Sequence, residues 1–144
     1  MKFVRNILEK KGASVWTIPP EATVREGLTE MSKRNIGALV VADHARVVGV
    51  MSERDFARKA ILQEPCSLDS PVADVMMREP PCVQPGNTIA ECMSLMTDKR
   101  IRHLPVLDEE GNLAGMVSIG DVVASILSEC ESKVDELQGL VFGA

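Results

Sequence analysis

Apolar and polar positions along this chain follow two rhythms, and both rhythms recur. Val24, Leu28 and Met31 stand at i, i+4 and i+7, as do Ile89, Met93 and Met96, which is the spacing of one helix face. Each run opens with Thr-x-x-Glu, Thr23 to Glu26 and Thr88 to Glu91. That is the capping-box pattern, in which the threonine caps the backbone N–H of the glutamate and the glutamate reaches back. Two short apolar runs follow each helix: Ala38–Ala42 then Val47–Met51, and His103–Leu107 then Leu113–Val117. Each pair is separated by a few polar residues, the length of a hairpin loop. Upstream of each helix, Val15–Ile18 and Cys82–Gln84 read as short strands, stopped by Pro19-Pro20 and by Pro85. A further helix is predicted after Ser52 and another after Ser118, and an amphipathic helix over the N-terminal residues to Lys11.

The order β-α-β-β-α thus occurs twice. Thr23-Val24-Arg25-Glu26 matches Thr88-Ile89-Ala90-Glu91 at an offset of 65. Gly49-Val50-Met51-Ser52-x-x-Asp55 matches Gly115-Met116-Val117-Ser118-x-x-Asp121 at 66, with one residue inserted in the second hairpin. A single insertion at a turn is what a duplicated folding unit shows. Val4-x-x-Ile7-Leu8 and Val72-x-x-Val75-Met76 precede the two copies. The predicted organisation is repeat one with its N-terminal helix at 1–62, a linker at 63–71, repeat two at 72–131 and a helical extension at 132–144. Units this small bury their surface poorly alone. The expected fold is α+β, with the repeats packed sheet against sheet over one core about a pseudo-two-fold axis.

Composition narrows the function classes. The 144 residues are 45% apolar and carry a net charge of −5, which argues against gripping nucleic acid by general electrostatics. Aromatic residues make up 3%, too few for base-stacking platforms. No stretch has the length and apolarity of a membrane span, and the N-terminus lacks the apolar core of a signal peptide. A cytoplasmic protein is expected, with Cys66, Cys82, Cys92 and Cys130 as free thiols, spaced wrongly for zinc. No metal is expected. Phosphate-loop and dinucleotide-fold glycine motifs are missing. Ser52, Asp55 and His103 make no hydrolase, because no nucleophile-elbow motif surrounds a serine.

Tandem β-α-β-β-α units, each closing with Gly-x-x-Ser-x-x-Asp, resemble a pair of CBS domains, the Bateman module. Asn35-Ile36-Gly37-Ala38-Leu39-Val40-Val41 and Arg100-Ile101-Arg102-His103-Leu104-Pro105-Val106 are further family features. The resemblance spans about residues 4–130, and the chain also resembles the small stand-alone bacterial members, which carry no enzyme or transporter domain. It implies binding of an adenine nucleotide between the repeats, the family's ligands including AMP, ADP, ATP, NAD and S-adenosylmethionine.

Within that frame the motif residues acquire roles. Ser52 and Ser118 can cap their helices while Asp55 and Asp121, in the first turn, accept hydrogen bonds from ribose hydroxyls. The free N–H groups at each helix start and the Ser52 and Ser118 hydroxyls can meet a phosphate. Arg102 and His103, part of the densest basic run, match positions that touch phosphates in relatives. The first repeat has Gly37 and Ala38 there, and Arg54 can compensate where the second has Gly120, so the two sites are expected to be chemically unequal. The adenine slot is assigned to Val15, Trp16, Thr17, Ile18 and Met51, and to Cys82, Val83 and Val117. Trp16 either lines the first slot or covers the module edge.

The expected function is a regulatory sensor of AMP, ADP, ATP or NAD(H) that is not an enzyme and acts on a partner protein. The alternative is an assembly or protein-interaction module with vestigial nucleotide sites. A homodimer is expected from surplus apolar residues after Ser52 (Phe56, Ala57, Ala60, Ile61, Leu62) and after Ser118 (Val122, Val123, Ile126, Leu127). Val134, Leu137, Leu140 and Val141 would brace it.

Overall fold

The computed structural model describes residues 2–62 and 67–142, with side chains left aside at 60–62 and 141–142. Cys66, linker positions 63–66 and the side chains of Ala60, Ile61, Leu62 and Val141 therefore lie outside the described residues. Helix α1 (Val4–Lys11) leads into repeat one: β1 (Thr17–Ile18), α2 (Val24–Arg34), β2 (Ala38–Asp43), β3 (Arg46–Ser52) and α3 (Glu53–Leu62). A 3-10 turn (Val72–Asp74) and β4 (Met77–Arg78) come next. Repeat two supplies α4 (Ile89–Lys99), β5 (His103–Leu107), β6 (Leu113–Ser118) and the 24-residue α5 (Ile119–Phe142). One sheet has the order β1-β2-β3-β4, with β1 parallel to β2 and the other pairs antiparallel. The second sheet is the β5-β6 hairpin.

The leading strands are shorter than predicted. Only Thr17–Ile18 pairs with β2, and the ladder reaches Trp16 through its carbonyl, which accepts from the Val40 N–H at 3.2 Å. In repeat two Val83 alone bridges Val106. Proline explains the brevity: Pro80, Pro81 and Pro85 flank the bridge and have no N–H to donate.

Both α2 and α4 begin at a threonine cap, and both end on a left-handed residue, Asn35 and Arg100. The reciprocal box forms only at Thr23–Glu26; Glu91 instead accepts a hydrogen bond from Asn87, so Thr88 caps without a return bond.

In place of a single shared core, the buried residues form two. One gathers Ile18, Val24, Met31, Leu39, Val41 and Met51 of repeat one with Val72, Val75 and Met76, which follow it. The other joins Val83, Ile89, Cys92, Met96, Leu104, Val106, Val117 and Val122 of repeat two to Val4 and Ile7 from α1. Each leading segment therefore packs on the other repeat. Backbone bonds fasten α1 there, Val4 N–H to the Asn87 carbonyl at 2.9 Å and Ile89 N–H to the Lys2 carbonyl at 3.1 Å. Strand alternation divides β2 and β3 between two faces. Leu39, Val41 and Met51 serve the helix-side core, while the equally buried Ala38, Val40 and Val50 belong to neither core.

Candidate functional site

On that second face two clefts open between the repeats. The first lies beside the start of α3 and has a volume of about 210 Å³. Ser52, Arg54, Asp55 and Arg58 come from repeat one, and Arg100, Arg102 and His103 from repeat two. The second, about 480 Å³, lies beside the start of α5. Ser118 and Met116 of repeat two face Ser14, Val15, Trp16 and Ala38 of repeat one, with Lys11 at its edge. Gly37 and His103 border both clefts. Neither cleft belongs to one repeat: each joins the Ser-x-x-Asp helix of one copy to the second strand of the other.

Local hydrogen bonds set this arrangement. Glu53 N–H donates to the Gly37 carbonyl at 3.2 Å, and Ile119 N–H donates to the Arg102 carbonyl at 2.8 Å. The start of each helix is thus tied to the start of its own repeat's β2 or β5. Both serines cap: Asp55 N–H donates to Ser52 Oγ at 3.0 Å, and Asp121 N–H to Ser118 Oγ at 3.1 Å.

The two aspartates then differ. Asp121 Oδ2 accepts from the Ser118 N–H at 2.9 Å and from Lys11 Nζ at 2.7 Å, while the same ammonium donates to the Met116 carbonyl at 2.9 Å. Burial opposes its ionisation, but the Lys11 and Ser118 hydrogen bonds and the Lys11 charge outweigh burial, holding the pKa below the ordinary carboxylate value. The Asp55 carboxylate makes no hydrogen bond or ion pair among the described residues. It stands free at the lip of a cleft.

The first cleft is dense in positive charge. Arg54, Arg58, Arg100 and Arg102 meet two carboxylates, Glu53 and Asp55, and none of the four guanidinium groups forms an ion pair among the described residues. Arg58, then Arg102, then burial lower the Arg54 pKa. Arg54 and Arg58 stand at i, i+4 on α3, a like-charge spacing that weakens a helix. Arg100 holds φ at 55°, a conformation that asparagine or glycine adopts at less cost. These are local penalties kept in one place, and an anion would offset them. His103 is shifted the other way from a phosphate-bound imidazole. Burial first, then Lys11, lowers its pKa below 6.5, with a further push from Arg102, so in the free protein the ring is neutral at pH 7.

The sequence-assigned residues separate into groups. Asp55, Ser52, Arg54, Arg102 and His103 come together in the first cleft. The proposed compensation by Arg54 is instead a concentration, because it shares that cleft with Arg102. Ser118, Val15, Trp16 and His103 meet at the second; Asp121 does not line it, but pairs with Lys11 and borders a separate hollow between α1 and α5. Ile18, Met51, Val83 and Val117 do not line either slot: strand alternation turns all four into the helix-side cores. Thr17 is exposed and Cys82 half-buried, its thiol donating to the Pro80 carbonyl at 3.3 Å. Trp16 borders the second cleft, and the Arg34 guanidinium stacks 3.4 Å from its ring centroid. Val122 is fully buried and is no part of a surplus surface.

Sequence reasoning missed three cations. Arg58 was legible as the i+4 partner of Arg54. Arg100 belongs to the Arg100–Val106 run but drew no role of its own, because its left-handed backbone is not visible in a propensity pattern. Lys11 gave no signal, since nothing local places the end of α1 against repeat two.

Two tandem repeats, each bringing the serine of its Ser-x-x-Asp helix start to a cleft shared with the other, define a paired-repeat module with two inter-repeat clefts. The chain belongs to the CBS domain family, whose model matches residues 4–61 and again 72–128. It is 35% identical over 150 residues to the CBS domain-containing protein CBSX3, mitochondrial, of Arabidopsis thaliana, covering 97% of this chain and 72% of that protein. A CBS-domain containing protein from Agrobacterium tumefaciens is 37% identical with a TM-score of 0.80, covering 86% of this chain and 98% of the other. A CBS domain protein from Pyrobaculum aerophilum, complexed with AMP, is 28% identical with a TM-score of 0.74, covering 83% and 89%. Among the described residues no helix is long and apolar enough to cross a membrane, and no group of three or more His, Cys, Asp or Glu is placed to hold a metal ion.

Proposed function

We propose that this chain is a cytoplasmic regulatory module that binds an adenine nucleotide (AMP, ADP, ATP or NAD(H)) between its repeats and passes occupancy to a partner protein, without catalysis. The observation that carries the reading is the Asp55 carboxylate, unengaged among the described residues, beside four arginines that have no ion-pair partners among them. A ribose diol supplies two donors for the carboxylate, and phosphates supply acceptors for Arg54 and Arg102, bidentately where the fork allows. The AMP complex of the Pyrobaculum aerophilum relative supports the ligand class. The second cleft, with Lys11, His103 and the larger volume, suits a ligand needing space more than charge, such as NAD(H) or an adenosine derivative. The module works as a homodimer.

Thermal-shift measurement with AMP, ADP, ATP, NAD, NADH and S-adenosylmethionine tests the reading. A ligand at 100 times its Kd stabilises the native state by about 2.7 kcal/mol. No shift from any of the six, with intact fold, refutes the sensor and leaves an assembly module with vestigial sites. The exposed apolar side chains of α5 favour that second reading.

A further inference from the structure

The hollow between α1 and α5 lies outside both clefts. Its volume is about 330 Å³, larger than that of the first cleft, and neither Ser52 nor Ser118 lines it. Asp121, Ala124, Ser125 and Ser128 stand at i, i+3, i+4 and i+7, one face of α5, and the last three are short. Helix α1 is fixed by Val4 and Ile7 in the core of repeat two, so it does not close over them and the gap stays open. Ile7 and the Ala124 methyl give the hollow an apolar wall.

The polar groups around it are rich in donors and poor in acceptors. Lys11 and Asp121 satisfy each other. Lys2 Nζ donates to the neutral Ser128 hydroxyl at 3.2 Å, and Lys10 makes no hydrogen bond among the described residues. Neither ammonium has an ion-pair partner among those residues. Asn6 uses its amide oxygen to accept from the Phe3 N–H at 2.8 Å, which leaves its amide nitrogen to donate. The Ser125 hydroxyl makes no hydrogen bond among the described residues, not even the return bond to the preceding turn open to a helical serine.

We propose that this hollow binds a phosphate group, held by Lys2, Lys10, Asn6 and Ser125, as a site separate from the two inter-repeat clefts. Two ammonium groups and two neutral donors around one cavity match a group with close to two negative charges and three acceptor oxygens, which a phosphate carries at neutral pH. Lysine serves such a group as a point charge, with no need of a fixed fork. A carboxylate brings half the charge and leaves donors unused. The apolar wall leaves room for a compact organic body beside the phosphate, so the free ion and a small phosphate ester share the chemistry. The proposal does not depend on nucleotide binding in the clefts. Lys11 borders both the hollow and the second cleft, which gives an occupant of the one a route to the other.

The test uses the full chain. Amide chemical shifts of Ala124, Ser125 and Ser128 are followed by NMR at constant ionic strength and about pH 8, where a phosphate is doubly charged. Inorganic phosphate, phenyl phosphate and benzoate are the probes. The wild type is compared with Lys2→Ala/Lys10→Ala, with Ser125→Leu, which fills the hollow and keeps both lysines, and with Arg54→Ala/Arg102→Ala, which removes cations from the first cleft. Circular dichroism confirms each fold. The expected result is a saturable shift with phosphate or phenyl phosphate whose midpoint rises roughly tenfold or more in Lys2→Ala/Lys10→Ala, rises likewise in Ser125→Leu, and is unchanged in Arg54→Ala/Arg102→Ala. Tighter binding of phenyl phosphate than of phosphate assigns the site to an ester, and the reverse order to the free ion. Shifts that do not saturate, that survive Ser125→Leu and the lysine variant, or that disappear with the arginines overturn the site. Benzoate binding as tightly as either phosphate overturns the ligand class.

Discussion

The two clefts descend from one repeated design, yet they solve the same electrostatic problem in opposite ways. Beside the second cleft the carboxylate is satisfied from within and turned out of the lining: the Ser118 N–H and Lys11 both donate to it, so Asp121 serves the fold before it serves any ligand. At the first, Asp55 has no such partner among the described residues, and the neighbouring arginines crowd one another. Duplication supplies the frame, and one lysine delivered from α1 is enough to separate the roles. A side chain that makes its bonds internally contributes stability; its twin, left unpaired, is held ready for a ligand.

That contrast can be broken most directly through the arginines. Arg54→Ala/Arg102→Ala is expected to weaken nucleotide binding at the first cleft at least 100-fold, each charged hydrogen bond contributing about 1.5–3 kcal/mol, with binding at the second unchanged. Calorimetry with ADP and ATP reads this, and equal loss at both sites would show that the clefts are not independent.

Next come the aspartates. Asp55→Ala is expected to reduce affinity roughly tenfold or more while leaving the unfolding midpoint in place. Asp121→Ala is expected to lower stability by about 1 kcal/mol, through the lost cap and ion pair. If Asp55→Ala destabilises as much as Asp121→Ala, the comparison fails.

A smaller effect belongs to Lys11. Asp121 has a lowered folded pKa, so its contribution is complete above the unfolded value near 3.9 and is lost as pH falls through the folded value. Lys11→Met should flatten that acid-side loss by less than about 1 kcal/mol, because the pair is partly exposed. Urea unfolding between pH 5 and 2 measures it.

The smallest concerns His103. Its lowered folded pKa makes its stability contribution complete above the unfolded value near 6.5 and lost as pH falls through that range. A phosphate beside the ring reverses the preference, so binding takes up a proton and tightens as pH drops below about 6.5, offset where the phosphate itself protonates near pH 6. Proton uptake on binding, measured by calorimetry in two buffers, should vanish in His103→Ala.

Much of this was legible in the residues. The two helices, their threonine caps and the hairpins followed from spacing, and the repeat identified the motif aspartates and the family. What was hidden is tertiary. No local pattern reports that Met51 and Val117 face helices while Ala38 and Val50 line the clefts; both sets are apolar and alternate on β2, β3 and β6. The leading strands were read too long because Val15 and Trp16 have strand composition but pair only through one carbonyl. Lys11 was invisible because its partner lies 110 residues away.

The exchange of leading segments has a consequence for how the chain reaches this state. Val4 and Ile7 fill a pocket that does not exist until residues 83–122 have folded, and Val72, Val75 and Met76 close the core that residues 18–51 begin. A ribosome releasing repeat one first would release it with its N-terminal helix still undocked. That helix must wait through synthesis of the second repeat before it finds its place. Such contacts, distant in sequence, slow the search for the native state. Severing the chain between the repeats would yield two fragments, each carrying a piece of the other. A permuted chain that begins after β4 and joins the C-terminus to α1 through a linker would make α1 contiguous with the repeat it completes, and it should fold faster than the natural order.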